Sequence, residues 1–137
     1  MSFLLDTNAC IAVIGGHPPA VRERFRRAEA DSESLVVSSI TLYELWYGIA
    51  RSARVADNAR RLAIFLPSVE IIQFDQDDAR VAGDIEAELR ARGMPIGPYD
   101  VLIAAQGVRR DLIIVTANVR EFSRVTALRW EDWTIPA

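Results

Sequence analysis

Lysine is absent from this sequence, and cysteine and histidine occur once each, as Cys10 and His17. One cysteine and one histidine cannot build a zinc site or a cysteine-histidine catalytic dyad. A serine hydrolase would have to use His17, but no nucleophile-elbow sequence accompanies it. We therefore expect Cys10 to be a small residue of the core, and we look for chemistry among the carboxylates.

Long hydrophobic runs are also missing. No apolar segment approaches the roughly 20 residues that a membrane-spanning helix needs, and the first residues lack the basic start and the cleavage site of a signal peptide. These absences predict a cytoplasmic protein with no membrane partner.

The net charge and the type of basic residue both bear on whether the protein binds nucleic acid. The net charge is -3, and all 16 basic residues are arginine. An acidic total is not the usual footprint of a nucleic-acid-binding domain. The arginines reflect either the coding bias of a GC-rich genome or a surface whose planar guanidinium groups bind phosphate oxygens.

Short apolar segments alternate with helical patterns along the 137 residues, half of which are hydrophobic. This alternation predicts one α/β domain over 1–137, with helices flanking a mostly parallel sheet of about four or five strands. The predicted strands are Phe3 to Leu5, Leu35 to Val37, Val69 to Phe74 and Leu112 to Val115. The segment from Leu128 to Trp133 is either a fifth strand or a packing arm.

Asp6 stands where the first apolar strand stops and a helical pattern starts. Because ligands bind at the carboxyl ends of strands in open α/β sheets, Asp6 is a candidate site residue. An aspartate just before a first helical turn also caps that helix, and Thr7 and Asn8 are favoured there for the same reason. Both interpretations stay open on local sequence.

Glu44 lies in a predicted helix from about Ile40 to Arg51. Its predicted buried stripe is Leu42, Leu45, Trp46 and Ile49, and Glu44 points away from it. Thr41 and Glu44 have the spacing of a capping box. The neighbouring Tyr43, Tyr47 and Gly48 instead favour a groove that a ligand approaches closely.

Asp100 follows an extended connector and opens a strongly apolar helix. An acid in this position is either the cap of a buried helix or a site residue aimed into a crevice. A further acidic cluster, Asp75, Asp77 and Asp78, opens the preceding long helix, where acids are favoured by the helix dipole. We predict that this second cluster is a cap.

Asp6, Glu44 and Asp100 should therefore meet at one edge of the sheet. Three carboxylates within about 4 Å would repel by about 4 kcal/mol per pair at a surface-like dielectric, so they need a cation. Oxygen ligands without histidine or cysteine favour Mg²⁺ or Mn²⁺.

Four segments together resemble the PIN-domain nucleases, and among them the VapC-type ribonuclease toxins of toxin-antitoxin pairs. The segments are Phe3 to Asn8, Ser39 to Leu45, Pro95 to Ala105 and Val115 to Phe122, with Trp133 near the end. The resemblance implies that Asp6, Glu44 and Asp100 bind metal and catalyse hydrolysis of RNA to a 5′-phosphate and a 3′-hydroxyl, with Thr7 and Asn8 in support.

The resemblance also implies that the hydroxyl of Thr116 orients the acids. Many relatives carry a fourth acid where this chain has Asn118, and Glu121 is a candidate substitute. If the missing acid limits the site, Asn118→Asp should raise metal affinity or activity.

The implied partners are an RNA substrate, whether tRNA, rRNA or mRNA, a VapB-type antitoxin whose basic side chain enters the acidic site, and a second copy in a homodimer. The RNA-binding residues are not predicted. One alternative is a haloacid-dehalogenase-type phosphatase, but Asn8 replaces its second acid and its lysine is missing. The other is a PIN-like module that binds RNA without turnover.

Overall fold

Parallel pairing joins five short strands into one sheet with the spatial order β3-β2-β1-β4-β5. The structure is a computed structural model and describes residues 1–136. The strands are β1 (Ser2–Leu5), β2 (Ser34–Ser38), β3 (Glu70–Ile72), β4 (Ile113–Val115) and β5 (Arg129–Glu131). The predicted parallel α/β fold is confirmed, and the last segment is indeed a fifth strand.

Seven helices connect the strands within the described residues. They are α1 (Thr7–Gly15), α2 (Pro19–Ala30), α3 (Ser39–Ala50), α4 (Val55–Phe65), α5 (Gln76–Ala91), α6 (Pro98–Arg109) and α7 (Val119–Phe122), and a short 3-10 turn (Leu66–Ser68) follows α4. Among helices of residues 1–136, none is long and apolar enough to cross a membrane. The predicted extent of the domain, 1–137, includes Ala137, which lies outside the described residues.

Successive side chains of a strand point to opposite faces of the sheet, so the hydrophobic core has two parts, one on each face. Phe3 and Leu5 face α1 to α4, whereas Leu4 faces α5 and α6. Cys10 is completely buried on the first face, as predicted. Trp133 also packs there, edge-on against Phe3 with ring centroids 5.1 Å apart. The last segment therefore supplies both a strand and a packing arm.

The order of the strands creates a crevice beside β1. The chain builds β1, β2 and β3 outward in one direction, then returns to place β4 on the other side of β1. Ligands of open parallel sheets bind where the winding reverses in this way, outside the carboxyl ends of the strands. Asp6 follows β1 and Thr116 follows β4, so both lie at this reversal.

The buried face of helix α3 differs from the one that the sequence predicts. Thr41 and Leu45 form its buried line, whereas Trp46, predicted to be buried, is 47% exposed. The prediction of a buried Trp46 is therefore wrong, because at about 100° per residue Trp46 lies far around the helix from the buried Thr41.

Asp75 and Asp78 form a capping box at the start of α5, which confirms the predicted cap. Asp78 has a second role, because its buried carboxylate also accepts hydrogen bonds from Arg109 at 2.6 Å and Arg110 at 2.9 Å. These bonds hold the pKa of Asp78 well below its usual range, although burial alone would raise it. The network fixes α5 against α6, the helix that carries Asp100.

Candidate active site

Asp6 caps α1 and also lies in the crevice. Its Oδ1 accepts a hydrogen bond from the backbone N-H of Ala9 at 2.8 Å, and its own N-H donates to the carbonyl of Val115 at 3.1 Å. Burial raises the pKa of Asp6, and the charges of Glu44 and Asp132 raise it further, against hydrogen bonds from Thr116 and Ala9. The two interpretations of Asp6 are thus compatible, since one carboxylate caps the helix and faces other acids.

Glu44 is held by a residue far away in the sequence. Thr7 donates from its hydroxyl to Oε1 of Glu44 at 2.6 Å, which links the start of α1 to α3. The predicted capping box is wrong, because α3 begins earlier and Ser38 caps it by accepting from the N-H of Ile40. Glu44 is therefore free of the helix terminus and directed toward Asp6.

Asp100 stands in the first turn of α6, which begins at Pro98 and not at Asp100 itself. Gly97 makes room for it, because a Cβ on that glycine would lie 3.1 Å from Asp100 Oδ2. Burial raises the pKa of Asp100 to about 7, together with hydrogen bonding to Glu121 and the negative charges of Glu121, Asp6 and Glu44. Three predicted acids thus influence one another electrostatically.

Glu121 joins these acids from α7. Burial alone would raise its pKa, but hydrogen bonds from Asn118, Asp100 and the N-H of Gly97 outweigh burial and lower it. The Gly97 bond is 3.2 Å long, and the amide nitrogen of Asn118 donates directly to Oε2. The two neighbouring carboxyls thus differ, with the pKa of Asp100 raised and that of Glu121 lowered.

The remaining predicted residues surround this group. Thr116 is buried, hydrogen bonds to Asp6 and accepts from the N-H of Asn118 at 2.9 Å. Asn8 is exposed and, with Thr116 and Asp132, lines a pocket of about 230 Å³. Thr116 thus has the contact expected of a residue that orients Asp6.

Asp132 was missed in the sequence. It follows β5, and its carboxylate accepts hydrogen bonds from the N-H and hydroxyl of Thr134 at 2.9 and 2.6 Å. Its position immediately after a strand is the same signal that identified Asp6. The irregular last segment concealed that signal, because β5 is short and its strand character was uncertain.

Among residues 1–136, the positive charge of Arg124 helps to lower the pKa of Glu121. None of Asp6, Glu44, Asp100 and Glu121 forms an ion pair there. Their oxygen-only donors suit a hard divalent cation. Burial is the largest cause of the raised pKa of Asp6 and Asp100, and repulsion among the acids, which a cation would relieve, adds to it. Within the same residues, however, no three such side chains are close enough to share one ion as they stand. The chemistry of the donors fits a cation, and binding one requires the side chains to draw together.

Comparison with known proteins matches this arrangement to one family. The model of the PIN domain matches residues 3–128. The chain is 41% identical over 133 residues to the tRNA(fMet)-specific endonuclease VapC of Salmonella typhimurium, covering 97% of this chain and 98% of that protein. It is 42% identical to the protein of the same name from Shigella flexneri, with 98% and 99% covered.

Comparison with solved structures points to the same family. The VapBC2 complex of Rickettsia felis, bound to a promoter DNA fragment, contains a chain with a TM-score of 0.91 and 34% identity, covering 97% of this chain and 99% of that one. DNA-bound VapBC from Salmonella typhimurium gives a TM-score of 0.89 at 41% identity, with 97% and 98% covered. The resemblance found in the sequence is confirmed, and the phosphatase alternative is wrong. This chain belongs to the PIN-domain family of nucleases.

Proposed function

We propose that this chain is the endoribonuclease toxin of a toxin-antitoxin pair, and that Asp6, Glu44 and Asp100 carry its activity with Mg²⁺ or Mn²⁺. The observation that supports the site most strongly is a set of interacting acids, Asp6, Glu44 and Asp100, located where the winding of a parallel sheet reverses. None of the three forms an ion pair among residues 1–136. The named relatives supply the reaction class, since they are ribonucleases.

A bound divalent cation would polarise the scissile phosphodiester and lower the pKa of an attacking water. Asp6, Glu44 and Asp100 would hold it, with Glu121 as the fourth acid in place of Asn118. Thr7 fixes Glu44, Thr116 fixes Asp6, and Asn118 fixes Glu121 through the hydrogen bonds described. These neighbours orient the acids, which must still draw together to share one cation.

We propose tRNA as the substrate class. The sequence left tRNA, rRNA and mRNA open, but two relatives at 41% and 42% identity over almost the whole chain are named for cleavage of tRNA(fMet). Hydrolysis would leave a 5′-phosphate and a 3′-hydroxyl. Since tRNA is cytoplasmic, the reaction belongs in the cytoplasm.

A VapB-type antitoxin is the proposed inhibitor. Two relatives of known structure, from Rickettsia felis and Salmonella typhimurium, are VapBC complexes. An apolar groove of about 330 Å³ between α1, α3 and α4 leads to Glu44 and gives such a partner an apolar path to the acids. A basic side chain placed there would neutralise the carboxylates and compete with the cation.

A homodimer, which would join two clefts, completes the proposal and is testable by sedimentation.

Incubation of the purified protein with total bacterial RNA tests this function. With Mg²⁺ we expect new 5′-phosphate ends concentrated in tRNA, and none with EDTA or after addition of the antitoxin encoded beside the gene. Stable RNA binding without any new ends would instead support the alternative of a PIN-like binding module.

A further inference from the structure

Asp100 depends for its position on a short connector, residues 94–97, that joins α5 to α6. The connector has no helix or strand of its own, so hydrogen bonds to its neighbours decide where it lies. Met94, its first residue, donates from its N-H to a carbonyl in the last turn of α5 at 2.9 Å. Gly97, its last residue, stands directly before α6 and donates from its N-H to Oε1 of Glu121 at 3.2 Å. The connector is thus fastened to α5 at one end and to an acid of the proposed site at the other.

Arg124 fastens the middle of the connector. Its Nη1 donates to the carbonyl of Pro95 at 2.8 Å. The backbone of Arg124 is itself fixed on two sides, because its N-H donates to the carbonyl of Glu121 at 3.0 Å and its carbonyl accepts from Nη2 of Arg92 at 2.6 Å. Arg124 therefore joins three separate pieces of the chain, namely α7, the connector and the end of α5.

Gly97 lies between the two acids that this connection brings together. Its N-H bonds to Glu121, and a Cβ on it would come within 3.1 Å of Asp100 Oδ2. The carboxyls of Asp100 and Glu121 also hydrogen bond to each other. A shift of the connector would therefore carry Gly97 and Asp100 together, away from Glu121.

We infer that Arg124 is a positioning residue for Asp100 and Glu121, and that it prepares this pair of acids for a divalent cation by fastening the connector to α7. The inference rests on the proposed ribonuclease function. The guanidinium forms no ion pair within residues 1–136, so its bond to the neutral carbonyl of Pro95 is the contact that its place in the fold serves. Partners of this kind, which orient metal ligands without touching the metal, commonly govern metal affinity.

Charge alone predicts the opposite effect of Arg124 on metal binding. The positive charge of Arg124 acts electrostatically on Glu121. A positive charge beside a cation site repels the cation, so its removal should tighten metal binding. Removal of a positioning bond should weaken metal binding. The sign of the change in affinity therefore separates the two effects.

Calorimetric titration with Mn²⁺, in the absence of RNA, measures this sign. We expect Arg124→Gln to bind Mn²⁺ about 10-fold more weakly than wild type. Arg120→Gln is the matched control, because it removes the same charge from an exposed residue of α7, and it should bind Mn²⁺ at least as tightly as wild type. Arg124→Gln should cost less affinity when Glu121 is already glutamine, because both changes act on the same pair of acids.

Amide hydrogen exchange in EDTA, followed by NMR, tests the positioning without any metal. Arg124→Gln should speed exchange of the Gly97 amide about 2- to 10-fold, since the connector loses one of its hydrogen bonds. The amide of Ile114, in the buried strand β4, should exchange at the wild-type rate and so report that the fold is intact.

The competing role for Arg124 is contact with a phosphate of the RNA, because a guanidinium has five N-H donors and the bond to Pro95 leaves others open. Anisotropy of a labelled RNA in EDTA measures that contact directly. Weaker RNA binding by Arg124→Gln, with Mn²⁺ affinity and Gly97 exchange at their wild-type values, would overturn the inference in favour of a phosphate contact.

Equal or tighter Mn²⁺ binding by Arg124→Gln, beside a wild type that binds the ion, would also overturn the inference. So would exchange of the Gly97 amide at the wild-type rate. The proposed function fails separately, if wild type neither binds Mn²⁺ nor cleaves RNA while Arg124→Gln still speeds exchange at Gly97.

Discussion

The hydroxyl of Thr7 donates to Oε1 of Glu44 at 2.6 Å, across 37 positions of sequence. This bond holds the Glu44 carboxylate toward Asp6, with which it interacts electrostatically. We therefore infer that Thr7 orients Glu44, one of the proposed catalytic acids. The side chain of Thr7 itself has no part in the proposed chemistry.

Thr7→Val keeps the shape of the side chain and removes the donor. We expect RNA cleavage to fall about 10- to 100-fold, as is usual when a partner of a metal-binding group is lost, while the thermal midpoint changes little. Thr7→Ser retains the hydroxyl and should stay within a few-fold of wild type. Equal loss in both variants would show that the methyl group, and not the hydrogen bond, is required.

Glu121 and Asn118 give a second prediction. Glu121→Gln should weaken Mn²⁺ binding about 10-fold in a calorimetric titration, because a neutral amide replaces the fourth carboxylate. The sequence alone favoured a gain of affinity for Asn118→Asp. In the structure Asn118 donates to Glu121, so an aspartate would place two carboxylates in contact. We now expect Asn118→Asp to reduce cleavage, and a gain would show that Asn118 itself occupies the place of a ligand.

Asp78 supplies a prediction for stability. Its carboxylate is completely buried and contacts Arg109 and Arg110, which are 29% and 27% exposed. Asp78→Asn should lower the free energy of unfolding by about 2 kcal/mol at pH 7, because it removes the buried charge that the two arginines contact and leaves them paired with Asp75 only.

The pH dependence of that effect has a definite sign. Hydrogen bonds lower the folded-state pKa of Asp78 below the ordinary value of about 4. The contribution of Asp78 is therefore complete above about pH 4 and is lost as the pH falls toward the lower, folded-state pKa. Urea denaturation at pH 7 and pH 3 should show a smaller difference between wild type and variant at pH 3. Asp84→Asn, on the exposed face of α5, is the control.

Much of the fold was predictable because β1, β2 and β4 are apolar enough to be recognised in isolation. The strand β5, Arg129–Glu131, is not, and the sequence left it open. Ile113 to Val115 is purely aliphatic and is buried on both faces of the sheet, as its composition predicts. The short α7 was not predicted, since four residues carry no helical period. The exposure of Trp46 was also missed, because the buried face of α3 includes a polar residue, Thr41, which the apolar pattern does not reveal.

The acids of the site were predictable individually, but their relationships were not. Position after a strand identified Asp6, and position at a helix start identified Asp100. The bond from Thr7 to Glu44 and the electrostatic interaction between Asp100 and Glu121 join residues that are distant in sequence, and local patterns carry no information about such pairs.

Mg²⁺-dependent RNA cleavage by Asp100→Asn, compared with wild type and Asp84→Asn, tests the proposed site most directly. Since Asp100 lies beside other acids and makes no ion pair among residues 1–136, its neutral variant should fold with a thermal midpoint at least equal to that of wild type. We predict that cleavage falls about 100-fold or more in Asp100→Asn and is unchanged in Asp84→Asn. Undiminished cleavage by a folded Asp100→Asn would contradict the assignment of these acids as the active site.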